Sequence, residues 1–359
     1  MRRRRDQSSR AAAWSFSSAA GGGRLHENGP TLWDSKLRWP EASSHKHRRG
    51  RLAVVTGPIA STGAARLAAQ AGLRAGAGQV TLLCPPAALM VVAGAVMAPL
   101  TASFKDEHQL VALTETADAM VIGPAAGVND KTRANVQALA QADRTLVLDA
   151  DAITVFQGEA ETLGGLLEAP AVLTPHMGEF ERLFPGLLAK TANKVEAVRA
   201  GAKQVGAVVL LKGPDTVIAA PDGRAVVNIH ASPFLATAGS GDVLAGIIGG
   251  LLAQGLDAFD AACAGAWMHG DAGIRAGAGM TAEDLDQALR QTIAALLPPS
   301  SSIERPKRAA TRCATARPMR VDPVAEIIGT RESSTSCSPT SRSPINSPSN
   351  PGGTSSPKR

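Results

Sequence analysis

The chain has 359 residues, 44% of them hydrophobic, enough for one large α/β domain or two average ones. Its net charge of +6 belongs to its ends: residues 1–51 sum to +8 and residues 297–359 to +6, leaving residues 52–296 at −8. A mildly acidic middle argues against a nucleic-acid-binding core, and the Arg2–Arg5 run reads as a solvated tail. Cys84, Cys263, Cys313 and Cys337 form no CxxC pair, so neither a zinc site nor a disulfide framework is expected, and a reduced cytoplasmic compartment fits.

Residues 1–50 read as irregular, with a linker-like "SSAAGGGRLHENGP", and residues 1–31 are expected to be a disordered basic segment. A folded domain is expected over residues 32–297. Within it, short β-branched runs recur: "LAVVT" (52–56), "QVTLL" (79–83), "AMVI" (119–122), "TLVLD" (145–149), "AVLT" (171–174) and "AVVLL" (207–211). Helical patterns lie between most of them, at 62–76, 131–142 and 191–205. Residues 75–104 carry no charge, but Pro85, Pro86 and Pro99 interrupt them. The clean apolar part "AALMVVAGAVMA" is too short for a membrane span, so a buried strand followed by a helix is expected. "TVIAAPDGRAVVN" (216–228) reads as a hairpin about an Asp-Gly turn. Three helices should follow, at about 241–254, 257–275 and 281–296. Apolar strands alternating with helices imply an α/β fold with a mainly parallel sheet covered on both faces. Residues 298–359, rich in Ser, Pro, Arg and Thr, are expected to be a disordered tail.

In open parallel sheets, ligands sit at the carboxyl ends of the strands. Five unusual segments fall at such ends: "TGP" (56–58), "GPAAG" (123–127), "DADAI" (149–153), "TPHMGEF" (174–180) and "KGPDT" (212–216). Together they suggest a large polyanionic ligand along the sheet edge. A sixth segment, "AGSGDVLAG" (238–246), puts Gly239, Ser240 and Gly241 before a helix whose N-terminus attracts anions. Convergent amides there can bind a phosphoryl group in transfer, and Asp242 can accept the proton of an attacking hydroxyl. An Asp in this place also stabilises a helix N-terminus, and GxGD alone leaves both roles open. No GK[ST] or GxGxxG spacing accompanies it, so neither a Walker loop nor a dinucleotide fingerprint is present.

With these loops in this order, the chain resembles the ribokinase-like superfamily, a three-layer α/β/α fold. More closely, it is similar to the ADP/ATP-dependent NAD(P)H-hydrate dehydratases, the carbohydrate-kinase-like domain of YjeF proteins. The resemblance covers about Leu32 to Leu297 and rests also on "SHKHRRGRLAVVTG" and "AWMHGDAG". It implies repair of hydrated NADH and NADPH: phosphate passes from ADP or ATP to the C6 hydroxyl of the S-epimer, and its elimination restores the cofactor. Asp242 would be the base, and Gly239, Ser240 and Gly241 the anion hole. Ala65, Ala125 and His176, with Asp242, match positions that contact the hydrated cofactor. Lys212, Gly213, Pro214, Asp215 and Thr216 match the adenine-nucleotide loop, which Gly241 also touches. Mg²⁺, a separate epimerase and a homo-oligomer are further implications. A nucleic-acid or membrane partner is not expected.

Two other functions stay open, a ribokinase-like kinase for a vitamin-precursor alcohol and a non-catalytic nucleotide-binding remnant. Single residues also keep two roles. Ala65 could serve helix packing, His176 could bond the backbone, and Lys212 could be a solvated loop charge. Glu179 could be a cap or a metal-water ligand, and Asp149 and Asp151 could fix loops. His269 reads as a satisfied core histidine. His45 and Lys46 could reach the nucleotide or only anchor the chain. Ala125 stands where the family pattern has glycine, and "AGSGD" replaces the common "GGTGD".

Overall fold

The computed structural model describes residues 26–40 and 45–298. Ten strands form one sheet: β1 (His26–Glu27), β2 (Arg51–Val55), β3 (Gln79–Cys84), β4 (Leu100–Ser103), β5 (Ala119–Ile122), β6 (Leu146–Leu148), β7 (Ala171–Leu173), β8 (Val208–Leu211), β9 (Thr216–Ala219) and β10 (Ala225–Asn228). Their order across the sheet is β1-β10-β9-β8-β7-β6-β5-β2-β3-β4. Pairing is parallel except at β9, which runs antiparallel to both neighbours as one arm of the expected hairpin. The chain steps outward one way through β2, β3 and β4, and the other way through β5, β6, β7 and β8. The direction reverses between β2 and β5, which puts the topological switch point there.

Among the described residues, twelve α-helices surround the sheet: α1 (Gly63–Ala75), α2 (Leu89–Ala95), α3 (Glu107–Leu113), α4 (Asp130–Gln141), α5 (Asp151–Thr154), α6 (Ala160–Gly164), α7 (Met177–Leu183), α8 (Leu187–Lys190), α9 (Lys194–Val205), α10 (Ser240–Ala253), α11 (Ala258–Ala276) and α12 (Asp284–Leu296). The strands alternate between the two faces as their pleat demands. Leu52, Val54, Val80, Leu82 and Val121 join a core with α1, α10, α11 and α12. Ala53, Val55, Met120 and Ile122 join the opposite core with α4, α6, α7 and α9. This is a three-layer α/β/α arrangement. None of its described helices is long and apolar enough to cross a membrane.

Two stretches depart from the expected pattern. Residues 100–103, read as part of a strand-helix segment, form β4 along β3. Residues 26–31, placed in the disordered segment, are folded against the far end of the sheet. There β1 pairs with β10, and Asn28 donates to Asn228 Oδ1 (2.8 Å) and to the Cys263 carbonyl (2.7 Å). Trp33, fully buried, donates to Asn28 Oδ1 and packs on Trp267. The partners lie some two hundred residues away, so local pattern carries no sign of them. The rest of the two expected disordered segments, residues 1–25 and 299–359, lies outside the described residues.

The face that carries α10 is built by glycine and alanine. α1 presents Ala65, Ala68, Gly72 and Ala75 in a helical stripe. A Cβ on Gly246 would stand 2.1 Å from the Ala68 carbonyl oxygen, and one on Gly250 would stand 2.6 Å from that of Gly72. The two helix backbones therefore run in direct contact. Gly246→Ala should lower stability by about 1–3 kcal/mol through overpacking. Gly94→Ala, on the exposed α2 where a Cβ meets open space, should leave stability unchanged or raise it by about 0.5–1 kcal/mol. Urea unfolding of the two variants checks both expectations.

Candidate active site

The five loops singled out in the sequence all leave the sheet at strand carboxyl ends, and the α10 N-terminus joins them. Gly239 turns the chain into α10 with φ +87°, a left-handed conformation natural to glycine. Asp242 follows in the first helical turn. It does not cap that turn: α10 has no side-chain cap, and no hydrogen bond to the Asp242 carboxylate occurs among the described residues. Burial pushes its pKa up to about 6; the nearby Asp149 carboxylate adds to the rise, and Lys212 opposes it. A carboxylate poised near neutrality and left without a partner has the properties of a general base.

Lys212, at the end of β8, donates to Asp149 Oδ1 at 2.8 Å and lies 3.9 Å from Glu179 Oε2. Burial alone would lower its pKa, but Asp149, Glu179 and Asp242 together hold it above the ordinary lysine value. Asp149, at the end of β6 and nearly wholly buried, also accepts from Thr174 Oγ1 at 2.8 Å. The Lys212 ammonium also comes close to the α10 turn, 3.5 Å from where a Cβ on Gly241 would stand. One cation thus sits among three carboxylates at the mouth of the glycine turn. Lys212 is a half-buried, paired charge and not a freely solvated one.

Ser240 is held from behind. Its hydroxyl is 3.0 Å from Nε2 of His269, which comes from α11 and is deeply buried. Burial drives the His269 pKa down to about 4, so the imidazole is neutral at physiological pH. The core histidine expected from its helix is therefore a support for the glycine turn that opens α10.

His176 N-caps α7. Its Nδ1 accepts from the amides of Gly178 (2.9 Å) and Glu179 (3.3 Å), while Glu179 Oε2 accepts from the His176 amide (2.8 Å). This reciprocal box fixes the loop after β7. The cap role left open for Glu179 and the backbone-bonding role left open for His176 are both present, and about half of the His176 ring stays exposed. In the "KGPDT" loop, Thr216 Oγ1 donates to the Gly213 carbonyl at 2.9 Å. Lys194, at the start of α9, donates to Asp215 Oδ1 at 2.8 Å and to the Asp215 carbonyl. Lys194 had no sequence signal, because its partner lies 21 residues on, across a strand.

Ala65 is fully buried against α10, so its side chain is unavailable to a ligand and only its backbone could meet one. Ala125 adopts φ +52°, a left-handed conformation that costs a non-glycine residue roughly 1–2 kcal/mol. Its loop is pinned from both sides. Asp151 Oδ2 accepts from the Gly127 amide at 2.8 Å, and a Cβ on Gly57 would stand 1.9 Å from the Ala125 carbonyl oxygen. Between Asp149 and Asp151, Ala150 is strained as well (φ 49°, ψ −113°). His45 and Lys46 precede β2, at the amino ends of the parallel strands, and the Lys46 carbonyl packs against Gly78. They anchor the chain and stand at the opposite end of the sheet from the loops above. No group of three His, Cys, Asp or Glu placed to hold a metal ion occurs among the described residues.

Residues 52–295 match the family model described as NAD(P)H-hydrate dehydratase. An ADP-dependent (S)-NAD(P)H-hydrate dehydratase of Neisseria meningitidis is 39% identical over 266 residues, 70% of this chain and 88% of the relative. A bifunctional NAD(P)H-hydrate repair enzyme of Salinibacter ruber is 40% identical over 254 residues, 67% of this chain but 47% of the relative. The chain therefore spans about half the length of such bifunctional relatives. The crystal structure of a Bacillus subtilis ADP/ATP-dependent NAD(P)H-hydrate dehydratase, co-crystallised with ATP and Mg²⁺, superposes with a TM-score of 0.68 at 27% identity, covering 76% of this chain and 99% of that one.

The pairing of Lys212 with Asp149 yields a direct test. Lys212→Met should leave Asp149 buried beside Thr174 without its cation and cost about 3–5 kcal/mol of stability. Asp149→Asn in the same background should recover part of that loss. Denaturant unfolding of the single and double variants measures both.

Proposed function

The chain belongs to the NAD(P)H-hydrate dehydratase family, and from that membership we propose that it restores hydrated NADH and NADPH at the expense of ADP or ATP. The observation that carries this reading is the unpartnered Asp242 carboxylate, with its pKa near 6, in the first turn of α10 beside Lys212. In this proposal Asp242 takes the proton of the C6 hydroxyl of the S-epimer. That oxygen attacks the terminal phosphorus of the nucleotide, and the nucleotide's bridging oxygen leaves. The amides of Gly239, Ser240 and Gly241 receive the charge that gathers on the transferring phosphoryl group. The phosphate ester then breaks at its carbon, driven by the ring nitrogen, and loss of a proton from the adjacent ring carbon restores the double bond.

Lys212, Gly213, Pro214, Asp215 and Thr216 hold the nucleotide in this reading, and Gly241 borders it. The backbone at Ala65 and Ala125 and the exposed edge of His176 meet the hydrated cofactor. Mg²⁺ neutralises the phosphates when bound. The residues fit an ion held mainly by those phosphates and by water, since Mg²⁺ takes few protein carboxylates in such sites and no three-carboxylate metal cage is formed among the described residues. Glu179 would reach it through water. A separate epimerase, a homo-oligomeric assembly and a cytoplasmic setting complete the proposal.

Incubation with hydrated NADH and ADP tests it. Recovery of NADH absorbance with release of phosphate is expected. A stable phosphorylated alcohol would instead indicate a small-molecule kinase. Asp242→Asn should reduce turnover by roughly 10²–10⁴-fold, the usual contribution of a positioned proton acceptor. A raised carboxyl pKa stabilises the fold only at low pH, and that contribution is lost as pH rises from the ordinary 3.8 through about 6. Asp242→Asn should therefore melt no lower than the parent at pH 7 and gain on it between pH 4 and 7. The acid limb of kcat/KM in the parent should fall about tenfold per unit below pH 6. A flat profile through pH 6 would remove Asp242 as the base.

A further inference from the structure

The switch point between β2 and β5 holds a cleft of about 260 Å³ that the chemistry described above does not use. It opens beyond the carboxyl ends of β2, β3 and β5, the place where open α/β sheets receive ligands. Val55, Ile122 and Phe104 give it an apolar wall, and Thr56, Lys131 and Asn135 give it polar ones. Asn135 is the anomaly. It projects from α4, is 6% exposed, and makes no side-chain hydrogen bond among the described residues; its Oδ1 is buried without a partner. A buried amide left unsatisfied costs roughly 1–3 kcal/mol. Across the wall, the Lys131 ammonium lies 5.8 Å from the Phe104 ring centroid.

We propose that this cleft seats the adenosine end of the hydrated dinucleotide, with Asn135 reading the adenine edge. The inference rests on the function proposed above. A carboxamide that needs both a donor and an acceptor is matched by the adjacent amino group and ring nitrogen of adenine, the pairing by which Asn recognises that base in nucleic acids. An aromatic ring and a prolyl-lined apolar wall suit the flat base. The volume lies below the roughly 300–1,000 Å³ of drug-sized sites, which suits one nucleoside and not a whole dinucleotide.

Position along the sheet agrees. The reacting centre lies over β6 and β8, where Asp149 and Lys212 emerge. The cleft lies two to three strands away, about 10–15 Å at the usual inter-strand spacing. An extended dinucleotide bridges such a distance between its two bases. The loop that joins the two places carries Ala125, which touches Gly57 at the cleft and precedes the cleft-lining Ala126. The rest of the "KGPDT" loop, beyond Lys212, leads from β8 to β9, away from the cleft, and stays free for the phosphoryl donor.

The test compares two substrates at saturating ADP with the full chain: hydrated NADH, and hydrated reduced nicotinamide mononucleotide, which lacks the adenosine half. Asn135→Leu should raise KM for hydrated NADH roughly tenfold or more, with kcat little changed, and should leave kinetics with the mononucleotide unaltered. Equal losses on both substrates, or none on either, would overturn the subsite while leaving the dehydratase reading intact. If the parent turns over neither substrate, that reading fails, and calorimetric titration of the ADP-saturated protein with NADH decides the subsite alone. Binding weakened tenfold by Asn135→Leu would support it. Unchanged binding, or none in the parent, would refute it. Lys131→Met, at an exposed rim position without an ion pair among the described residues, guards against misfolding of the first variant. It should weaken the dinucleotide several-fold and spare the mononucleotide, and equal effects would again overturn the assignment.

Discussion

Backbone contact between α1 and α10 is the constraint on which the site depends. Ala68 and Gly72 on one helix face Gly246 and Gly250 on the other, with no side chain between them. Gly249 leaves room in the same way for Leu52 and Val121 of the sheet. Held this closely on two sides, α10 has little freedom to slide or tilt, because packed interiors tolerate shifts of less than a methyl group. Its N-terminus is thereby fixed at the carboxyl edge of the sheet. The glycines of "GSGDVLAGIIGG" divide into two sets. Gly239 and Gly241 shape the turn, and Gly246, Gly249 and Gly250 set the depth at which the turn sits.

Electrostatics builds on that placement. Three carboxylates surround one ammonium, so the mouth of the turn is net negative before any ligand arrives. Those carboxylates keep Lys212 charged in spite of its partial burial, while burial, reinforced by the Asp149 charge, gives Asp242 the weak acidity of a base useful near neutral pH. Neutral His269 beneath Ser240 adds no charge to this balance. A polyphosphate entering such a surrounding needs extra positive charge, which accords with a divalent ion travelling with the nucleotide rather than waiting in a protein cage.

Much of this was legible in the sequence because it is local. The parallel strands, the Asp-Gly hairpin and the large helices follow from period and punctuation. The glycine turn, Asp242 and the five strand-end loops follow from the rule that places ligands at carboxyl edges. What could not be read depends on distant pairing. β4 is four residues of weak strand character that hydrogen-bond only because β3 is there. Lys194 braces Asp215 across β8, and His269 reaches Ser240 from the next helix. Sequence left His176 between a ligand contact and a backbone bond. The structure shows the bond and leaves about half of the ring exposed. Ala65, left between a ligand contact and helix packing, is fully buried in the core that α1 shares with α10.

The pairing of β1 with β10 has a consequence for how the molecule is made. The first of the described strands to leave the ribosome finds its partner only after some two hundred further residues have been synthesised, and Asn28 must wait equally long for Asn228. That edge of the sheet therefore closes last, among contacts of very high sequence separation, which are slow to form. In the interval β1 is the strand left unpaired, a short row of backbone donors and acceptors of the kind that recruits strands from other chains. Crowded synthesis would make this the period of greatest danger for the chain, and the buried Trp33 behind Asn28 is the latch that ends it.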